Sequence, residues 1–440
     1  MFNHSVVIFD NGAHTIKCGL SNNDEEPRMV PNSVVRLKHE RNKQFVGSEF
    51  NESLDYSIVH YRLPFERGYL TDWDVEKAID PREHNFLVTE PPFNMHTIQE
   101  TYDQMIFEEW EFRSYYRCPS AILCPYGDIF NPGPQPECAI IVDSGFSFTH
   151  VIPVTNDNSG LPASIQWPSV RRLDVGGKLL TNHLKELVSF RHWDMTESTY
   201  IINQVKESCC FVSKNWSQDL EICRAKINPT TRSYVLPNFG TEPPKPGYIT
   251  TLPQEGDTIL PMNNERFSIP EILFSPSHVG LSQTGLPGII AHSINSLPED
   301  QRGVAWGNIG LVGGNTLFDG FEQRLFEELR TLAPDEYEIC LYRARNFHSA
   351  RTLARSPIFP SLCVTREEYL EGGANACRRR FAPVNWLATK EKDVGGTRKE
   401  QESGARKETA GRGRGRRRKT VTTSEEVAPA FEAMDVDPKS

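Results

Sequence analysis

Two short segments of the chain place an aspartate and a glycine in a turn directly after an apolar run. Asp10 and Gly12 form the first pair, and Asp143 and Gly145 form the second. Such a turn puts a carboxylate at the mouth of a cleft and directs backbone N–H groups inward, where they can bind a phosphate. Two of them could bind one polyphosphate, with Asp10 and Asp143 holding Mg²⁺ through its waters and Lys17 neutralising an oxygen.

A single Asp-x-Gly turn is also ordinary hairpin chemistry, and one copy alone favours that interpretation. Here each copy is followed by a second β-type segment, at residues 16–20 and 149–154, so the unit of strand, turn and strand occurs twice. A third apolar run, 309–312, ends at Gly313 and Gly314. The repetition predicts two similar lobes that face a shared cleft.

Hydrophobic periodicity predicts the elements that would position these turns. The proline-rich stretch 228–260 is interpreted as a surface excursion. The other predicted segments are helices at 97–115, 177–190, 196–212 and 318–332, strands at 44–47 and 120–123, and ordered chain at 266–274 and from 363 to 381. In the helix at 318–332, the side chains predicted to face inward are those of Phe321, Leu325, Phe326 and Leu329.

Composition limits the class of protein. The chain has 440 residues and a formal charge of −10, which is enough length for two or three domains. No stretch approaches the roughly 20 apolar residues that cross a bilayer, and no leader pattern is present, so a secreted or membrane protein is not expected. The ten cysteines show no CxxC spacing, which favours reduced thiols over a zinc site.

Charge divides the chain near residue 382. Residues 382–440 carry 13 Lys/Arg and 10 Asp/Glu, whereas residues 1–381 carry 35 and 48. The last segment includes an Arg-Gly cluster at 411–419 and has too little apolar content to become ordered. It is predicted to be a disordered basic tail, which either contacts nucleic acid or an import receptor through its charge or is a solvated linker without a partner.

The segments around the three turns resemble the actin family. The resemblance runs from about residue 5 to 375 and implies the α/β fold shared by actin, sugar kinases and heat-shock ATPases, in which two lobes enclose a nucleotide cleft. The matching stretches are 9–19 and 141–153 for the two phosphate loops, 312–320 for the adenosine segment, and 63–74, 87–93, 173–184 and 205–212 between them.

The same resemblance implies a domain organisation. Two segments depart from the family, because the helix at 74–79 is short and residues 346–360 lack the expected pattern. The implied units are a first lobe at 1–135 with a small insertion at about 30–70, a second lobe at 136–340, a return to the first lobe at 341–381, and the tail at 382–440.

The resemblance also implies which residues contact a nucleotide. They are Asp10, Gly12, Lys17, Asp143, Gly145, Lys206, Glu207, Gly313 and Gly314. For Lys206 and Glu207 the alternative is an ordinary exposed pair on a helix. ATP is therefore expected to be able to occupy the cleft without being hydrolysed, and no catalytic residue and no direct metal ligand is predicted.

Three positions depart from the family where catalysis would need them. Ala13 replaces a serine that contacts the terminal phosphate, and Phe146 replaces an aspartate near the metal. Ser120 aligns with the glutamine that orients the attacking water, whereas His150 is kept and is interpreted as a buried structural histidine. Because an unoriented water reacts far more slowly, the chain is predicted not to be an enzyme.

Within the family, the segments 143–150, 176–186 and 364–369 are most similar to one class of nuclear actin-related proteins. This similarity implies a non-catalytic scaffold subunit of Swr-type chromatin remodellers, which exchange histone 2A for its Z variant. The expected partners are the other subunits, including a Swi/Snf-family ATPase, and histones, whose basic charge suits the acidic body. The expected location is the nucleus, and also the cytoplasm.

Other functions of the same superfold remain as alternatives. The chain could be a free nucleotide-binding protein or a weak ATPase. A sugar kinase would need an acidic base beside the second loop, where Phe146 stands instead. A filament protein is less favoured, because residues 36–44 lack the long apolar plug that longitudinal contacts require.

Overall fold

The computed structural model describes residues 5–37, 44–46, 59–62, 65–66, 69–70, 81–127, 136–156, 163–225, 228–238 and 245–386. The predicted helix at 74–79 and residues 387–440 of the predicted tail lie outside these ranges. Residues 382–386, assigned to the tail from the sequence, are described, and Val384 and Asn385 are buried. The packed part of the chain therefore extends to Trp386, beyond the predicted start of the tail.

The described residues form an α/β protein, as predicted. Its strands, β1 to β20 in chain order, are Val6–Asn11, Thr15–Leu20, Arg28–Pro31, Val34–Leu37, Gln44–Val46, Val59–Arg62, Phe65–Glu66, Tyr69–Leu70, Asn85–Glu90, Ser114–Pro119, Cys138–Ser144, Thr149–Thr155, Ser164–Ile165, Arg171–Leu173, Arg232–Val235, Tyr248–Thr250, Ile259–Met262, Ile309–Val312, Leu341–Arg343 and Val364–Thr365. The strand predicted at 44–47 and both repeated hairpins are confirmed.

Helices cover the strands and join them. The α-helices, α1 to α12 in chain order, are His96–Gln104, Gly177–Arg191, Thr199–Cys209, Trp216–Arg224, Glu265–Glu271, Leu286–Asn295, Glu299–Trp306, Phe321–Leu332, Asn346–Arg355, Phe359–Leu362, Arg366–Gly372 and Ala374–Phe381. The helix predicted at 177–190 is confirmed as α2. None of the described helices is long and apolar enough to cross a membrane.

Each main sheet is built around one of the repeated hairpins. The strand order is β20-β10-β9-β1-β2-β3 in the first sheet and β13-β12-β11-β18-β19 in the second, with β14 also paired to β12. Strand β1 runs parallel to β9, and β11 runs parallel to β18. Asp10 and Asp143 lie at the carboxyl ends of these strands, which is where ligands bind in open α/β sheets.

Two apolar cores hold the sheets to their helices. The central strands are buried on both faces, so their sequences are continuous apolar runs rather than alternating ones. The core around the first sheet includes Phe86, Phe107 and Phe381, and the core around the second includes Trp306 and Phe321. The C-terminal segment contributes to the first core, because β20 pairs with β10 and Phe381 of α12 is fully buried.

The helix predicted at 97–115 is wrong in its end, and the strand predicted at 120–123 is wrong in type. The helix α1 ends at Gln104, a single π-helical turn follows to Glu109, and Ser114–Pro119 is strand β10. All six residues of β10 are buried, so no alternation in the sequence marks the strand. Residues Ser120–Ile122 form a 3₁₀ turn after Pro119 instead of a strand.

Two further predictions are corrected by packing. The stretch 228–260 is not only a surface excursion, because β15, β16 and β17 form a small antiparallel sheet in which Tyr234 and Leu260 are buried. These strands have three or four residues each, too few for a period to show. Phe326 is 43% exposed, because the buried stripe of α8 passes through Phe321, Leu325 and Leu329.

Candidate nucleotide-binding cleft

All nine predicted site residues line one cleft of about 1060 Å³ between the two sheets. They come from the β1–β2 hairpin, the β11–β12 hairpin, helix α3 and the turn after β18. The residues are Asp10, Gly12, Lys17, Asp143, Gly145, Lys206, Glu207, Gly313 and Gly314. The structure therefore brings together residues that lie up to about 300 positions apart in the sequence.

The first loop holds its carboxylate in a fixed orientation. Asp10 and Lys17 face each other across the β1–β2 pair, and Lys17 Nζ lies 3.3 Å from Asp10 Oδ2. The hydroxyl of Thr89 donates to Asp10 Oδ1 over 3.1 Å. Gly12 is required for the turn, because a Cβ there would lie 2.6 Å from the carbonyl oxygen of Thr15.

The second loop places Asp143 opposite the first. Ser120 Oγ donates to Asp143 Oδ2 over 3.1 Å. Burial, reinforced by the nearby negative charge of Asp10, raises the pKa of Asp143 to about 6. A cation between the two loops would relieve this repulsion, so the pair suits a metal held by both carboxylates through water.

The third glycine turn closes onto the second loop. Gly313 has φ of +93°, and a Cβ there would lie 2.2 Å from the carbonyl oxygen of Ser144. Asn315, two residues on, donates to the carbonyl oxygen of Gly145 over 2.8 Å. Gly314, by contrast, has open space where a Cβ would be.

Lys206 is buried, so Lys206 and Glu207 are not an ordinary exposed pair on a helix. Its Nζ donates to the carbonyl oxygen of Gly177, to Thr181 Oγ1 and to Asn203 Oδ1, over 2.9 to 3.2 Å. Burial lowers the pKa of Lys206 to about 8. Glu207 is exposed and accepts from Asn203 Nδ2 over 2.8 Å. Their contact with a nucleotide stays a prediction.

His14 and Asn203 contact each other beside the cleft, and neither was predicted as a site residue from the sequence. His14 lies in the first loop, and its Nε2 is 3.0 Å from Asn203 Nδ2 on helix α3. The imidazole also packs edge-on against the Phe146 ring of the second loop, with ring centroids 4.8 Å apart. A histidine next to Ala13 in a phosphate loop was a signal in the sequence, but Asn203 carried none.

Comparison with known proteins decides the family. A sequence profile described as Actin matches residues 2–382. The chain belongs to the actin family. An actin-like protein ARP6 of Cryptococcus neoformans is 44% identical over 86% of this chain and 84% of its own length. Actin-related protein 6 of Drosophila melanogaster is 35% identical over 86% of this chain and its whole length. The actin-like protein ARP6 of Yarrowia lipolytica is 36% identical over 85% of this chain and 97% of its own length.

Three residues of the cleft bear on whether this actin-family chain could hydrolyse a nucleotide. Phe146 places an aromatic ring where the resemblance implies a carboxylate, and the ring centroid lies 5.8 Å from Lys206 Nζ. Ser120, which the resemblance aligns with a water-orienting glutamine, donates a hydrogen bond to Asp143. His150 is buried beside the Phe93 and Phe148 rings, and burial, with the positive charge of Arg172, lowers its pKa to about 3. It is neutral at physiological pH.

The cleft of this actin-family chain fits a nucleotide. It offers the three glycine turns, the ammonium group of Lys17 and two carboxylates for a hydrated Mg²⁺. It also holds a buried polar atom with no hydrogen-bond partner among the described residues, His14 Nδ1. A bound nucleotide would supply phosphate acceptors for such a donor and a negative charge between the lobes.

Proposed function

We propose that this chain is a non-catalytic, actin-fold scaffold subunit of a nuclear Swr-type chromatin remodeller that exchanges histone 2A for its Z variant. The proposal rests on the relatives named actin-related protein 6 and on the similarity of the segments at 143–150, 176–186 and 364–369 to that class. The chain would bind other subunits, including a Swi/Snf-family ATPase, and histones.

The arrangement around Asp143 is the observation that carries the non-catalytic part. Hydrolysis needs a side chain that orients a water in line with the terminal phosphate. Ser120 is too short for this and donates its hydroxyl to Asp143. Phe146 supplies no carboxylate, and its ring packs against His14. The cleft therefore supports nucleotide occupancy better than turnover.

Occupancy alone would serve a scaffold. A ligand that binds only the folded chain stabilises it by RT ln(1 + [L]/Kd), and a nucleotide between the loops would hold the two lobes together. The partner-binding surfaces would then keep a constant geometry. The basic segment at 411–419 would add contacts with nucleic acid, and the protein would act in the nucleus and also occur in the cytoplasm.

Affinity purification of the tagged full-length chain from nuclear extract, followed by mass spectrometry, tests the proposal. We expect a Swi/Snf-family ATPase, AAA+ helicases and the Z-variant histone to be recovered at moderate salt. A variant lacking residues 404–440 serves as the control for tail-mediated contacts, and it should retain the subunits. Recovery of the chain alone would contradict the scaffold function.

A weak ATPase or free nucleotide-binding protein is the second candidate, favoured by the retention of Asp10, Lys17 and Asp143 in the cleft. Phosphate release from ATP by the purified chain separates the two. Under the scaffold proposal, release stays at the rate of an Asp143→Ala variant. Turnover at a rate typical of actin, abolished by Asp143→Ala, would favour the ATPase.

A further inference from the structure

His14 carries a buried nitrogen that the fold leaves without a partner. The residue lines the cleft between the two phosphate loops. Its Nε2 contacts Asn203, whereas Nδ1 has no hydrogen-bond partner among the described residues. A buried polar atom without a partner costs free energy, so its presence at a binding cleft calls for an explanation.

The orientation of the Asn203 amide is determined by its neighbours. Lys206 Nζ, which can only donate, lies 2.9 Å from Asn203 Oδ1, and Thr181 Oγ1 donates to the same oxygen over 3.0 Å. Glu207 Oε1, which accepts, lies 2.8 Å from Asn203 Nδ2. The oxygen of the amide therefore faces Lys206, and the nitrogen faces Glu207 and His14.

This orientation determines the tautomer of His14. An Asn203 amide nitrogen has two hydrogens, one for Glu207 and one for His14, so His14 Nε2 must accept. The proton of the neutral imidazole is then on Nδ1. Burial lowers the pKa of His14, the negative charge of Glu207 opposes this, and the positive charge of Lys206 reinforces it.

The Nδ1–H group is thus an oriented, buried donor on a residue that lines the cleft. Phe146 packs edge-on against the ring and limits its rotation. The preceding residue, Ala13, has no side-chain donor, although the first loop is where phosphate oxygens would lie. A phosphate oxygen bound at the first loop would supply the acceptor that this nitrogen lacks.

We propose that His14 donates from Nδ1 to a phosphate oxygen of a nucleotide bound between the two loops. The proposal rests on the nucleotide occupancy proposed above. It makes His14 a side-chain phosphate ligand of the first loop beside Lys17, in place of the hydroxyl that Ala13 lacks. It also assigns a role to Asn203 and Lys206, which orient the donor instead of contacting the phosphate.

Calorimetric titration of the full-length chain with ATP and with adenosine, in Mg²⁺ buffer, tests this assignment. Asparagine carries its amide nitrogen at the position of Nδ1, and glutamine can reach the position of Nε2. We expect His14→Ala and His14→Gln to weaken ATP binding roughly tenfold and His14→Asn to stay within about threefold of the wild type. Adenosine, which has no phosphate, should bind all four proteins alike.

Several results would overturn the assignment. An equal loss for ATP and adenosine would show that His14 only supports the cleft wall, and unchanged ATP binding in all variants would show that it is no ligand. Tighter ATP binding by His14→Ala would show that His14 and Phe146 obstruct the cleft. A wild-type chain that binds no ATP would also refute this inference, but recovery of the remodeller subunits would still uphold the scaffold function.

Discussion

At the scale of single residues, Arg117 forms a buried cluster with two carboxylates next to the first sheet. Its guanidinium lies 3.0 Å from Glu90 and 3.5 Å from Asp103, and all three side chains are almost completely buried. One cation cannot neutralise two anions in such a site. Burial raises the pKa of Asp103 to about 7; Arg117 opposes this, and Glu90 adds to it. The neutral combination therefore has a protonated Asp103.

The first prediction concerns the pH dependence of this cluster. Because the pKa of Asp103 is higher in the folded state than in the unfolded chain, the folded state binds the extra proton between about pH 4 and 7. Its contribution to stability is present below about pH 4 and is lost as the pH rises through 7. Asp103→Asn should match the wild type below about pH 4 and exceed it at pH 8, by on the order of 1 to 4 kcal/mol in urea unfolding. Equal stability at both pH values would contradict the shifted pKa.

The second prediction compares two adjacent glycines of the third turn. Gly313→Ala should lower the free energy of unfolding by about 2 kcal/mol or more, because φ is positive and the new Cβ would clash with the Ser144 carbonyl. Gly314→Ala, with open space at its Cβ, should change it by less than about 0.5 kcal/mol. Urea denaturation of both variants makes the comparison. A larger effect at Gly314 than at Gly313 would show that the turn is built differently.

At the scale of secondary-structure elements, Arg324 joins helix α8 to helix α5. Its guanidinium lies 3.0 Å from the buried Glu271 carboxylate and also donates to the Ser213 carbonyl over 2.6 Å. The same group lies over the Phe274 ring. Since Glu271 is only 2% exposed, it depends on this partner for its charge.

The third prediction tests this dependence on a partner. Arg324→Met should lower the free energy of unfolding by about 3 kcal/mol, because it leaves Glu271 buried and unpaired, and adding Glu271→Gln should restore part of the loss. Arg343→Met is the matched control. Arg343 pairs with Glu322, which lies on α8 as Arg324 does, but both side chains of this pair are about half exposed. The pair should therefore contribute less than about 1 kcal/mol. Chemical denaturation of the set should give this order. Equal losses of unfolding free energy in Arg324→Met and Arg343→Met would mean that the buried pair contributes no more to stability than the exposed one.

At the scale of the whole molecule, the C-terminal segment completes the first sheet and then packs against Phe93, a neighbour of the cleft residue His150. The Trp386 ring packs against Phe93 at a centroid distance of 5.5 Å, and Phe93 in turn packs against Trp167 and His150. The backbone N–H groups of Val384 and Asn385 donate to the carbonyl oxygen of Phe381. These hydrogen bonds attach the residues after Phe381 to the last turn of α12.

The fourth prediction places the boundary of the folded part. A chain ending at Trp386 should unfold at the same denaturant concentration as the full-length protein. A chain ending at Phe381 should lose about 1 to 3 kcal/mol, because the burial of Val384 and the Phe93–Trp386 contact are removed. Unfolding the full-length chain and the two shortened chains in guanidinium shows whether the folded part ends at residue 386 or at residue 381. Identical curves for the two truncated chains would move the boundary back to residue 381.

The parts of the fold that depend on local chemistry could be predicted from the order of the residues. Asp10 and Asp143 each follow an apolar run and precede a glycine, so the hairpins, their repetition and the shared cleft were predictable from neighbouring residues. The family's motif added Lys206 and Glu207, and it assigned a nucleotide to the glycines at 313 and 314, which already stood out after the third apolar run. Strand β10 was not predictable, because burial on both faces removes the alternation that marks a strand.

Which side chains complete the cleft depends on how distant segments pack together. His14 and Asn203 are 189 residues apart, and nothing in either segment specifies the contact. The burial of Lys206 follows from the packing of helix α3 against α2, and the placement of Asp103 beside Arg117 follows from the packing of α1 against the first sheet. Hydrogen-bond partners and desolvation depend on what surrounds a residue in space, and a linear pattern records only what precedes and follows it.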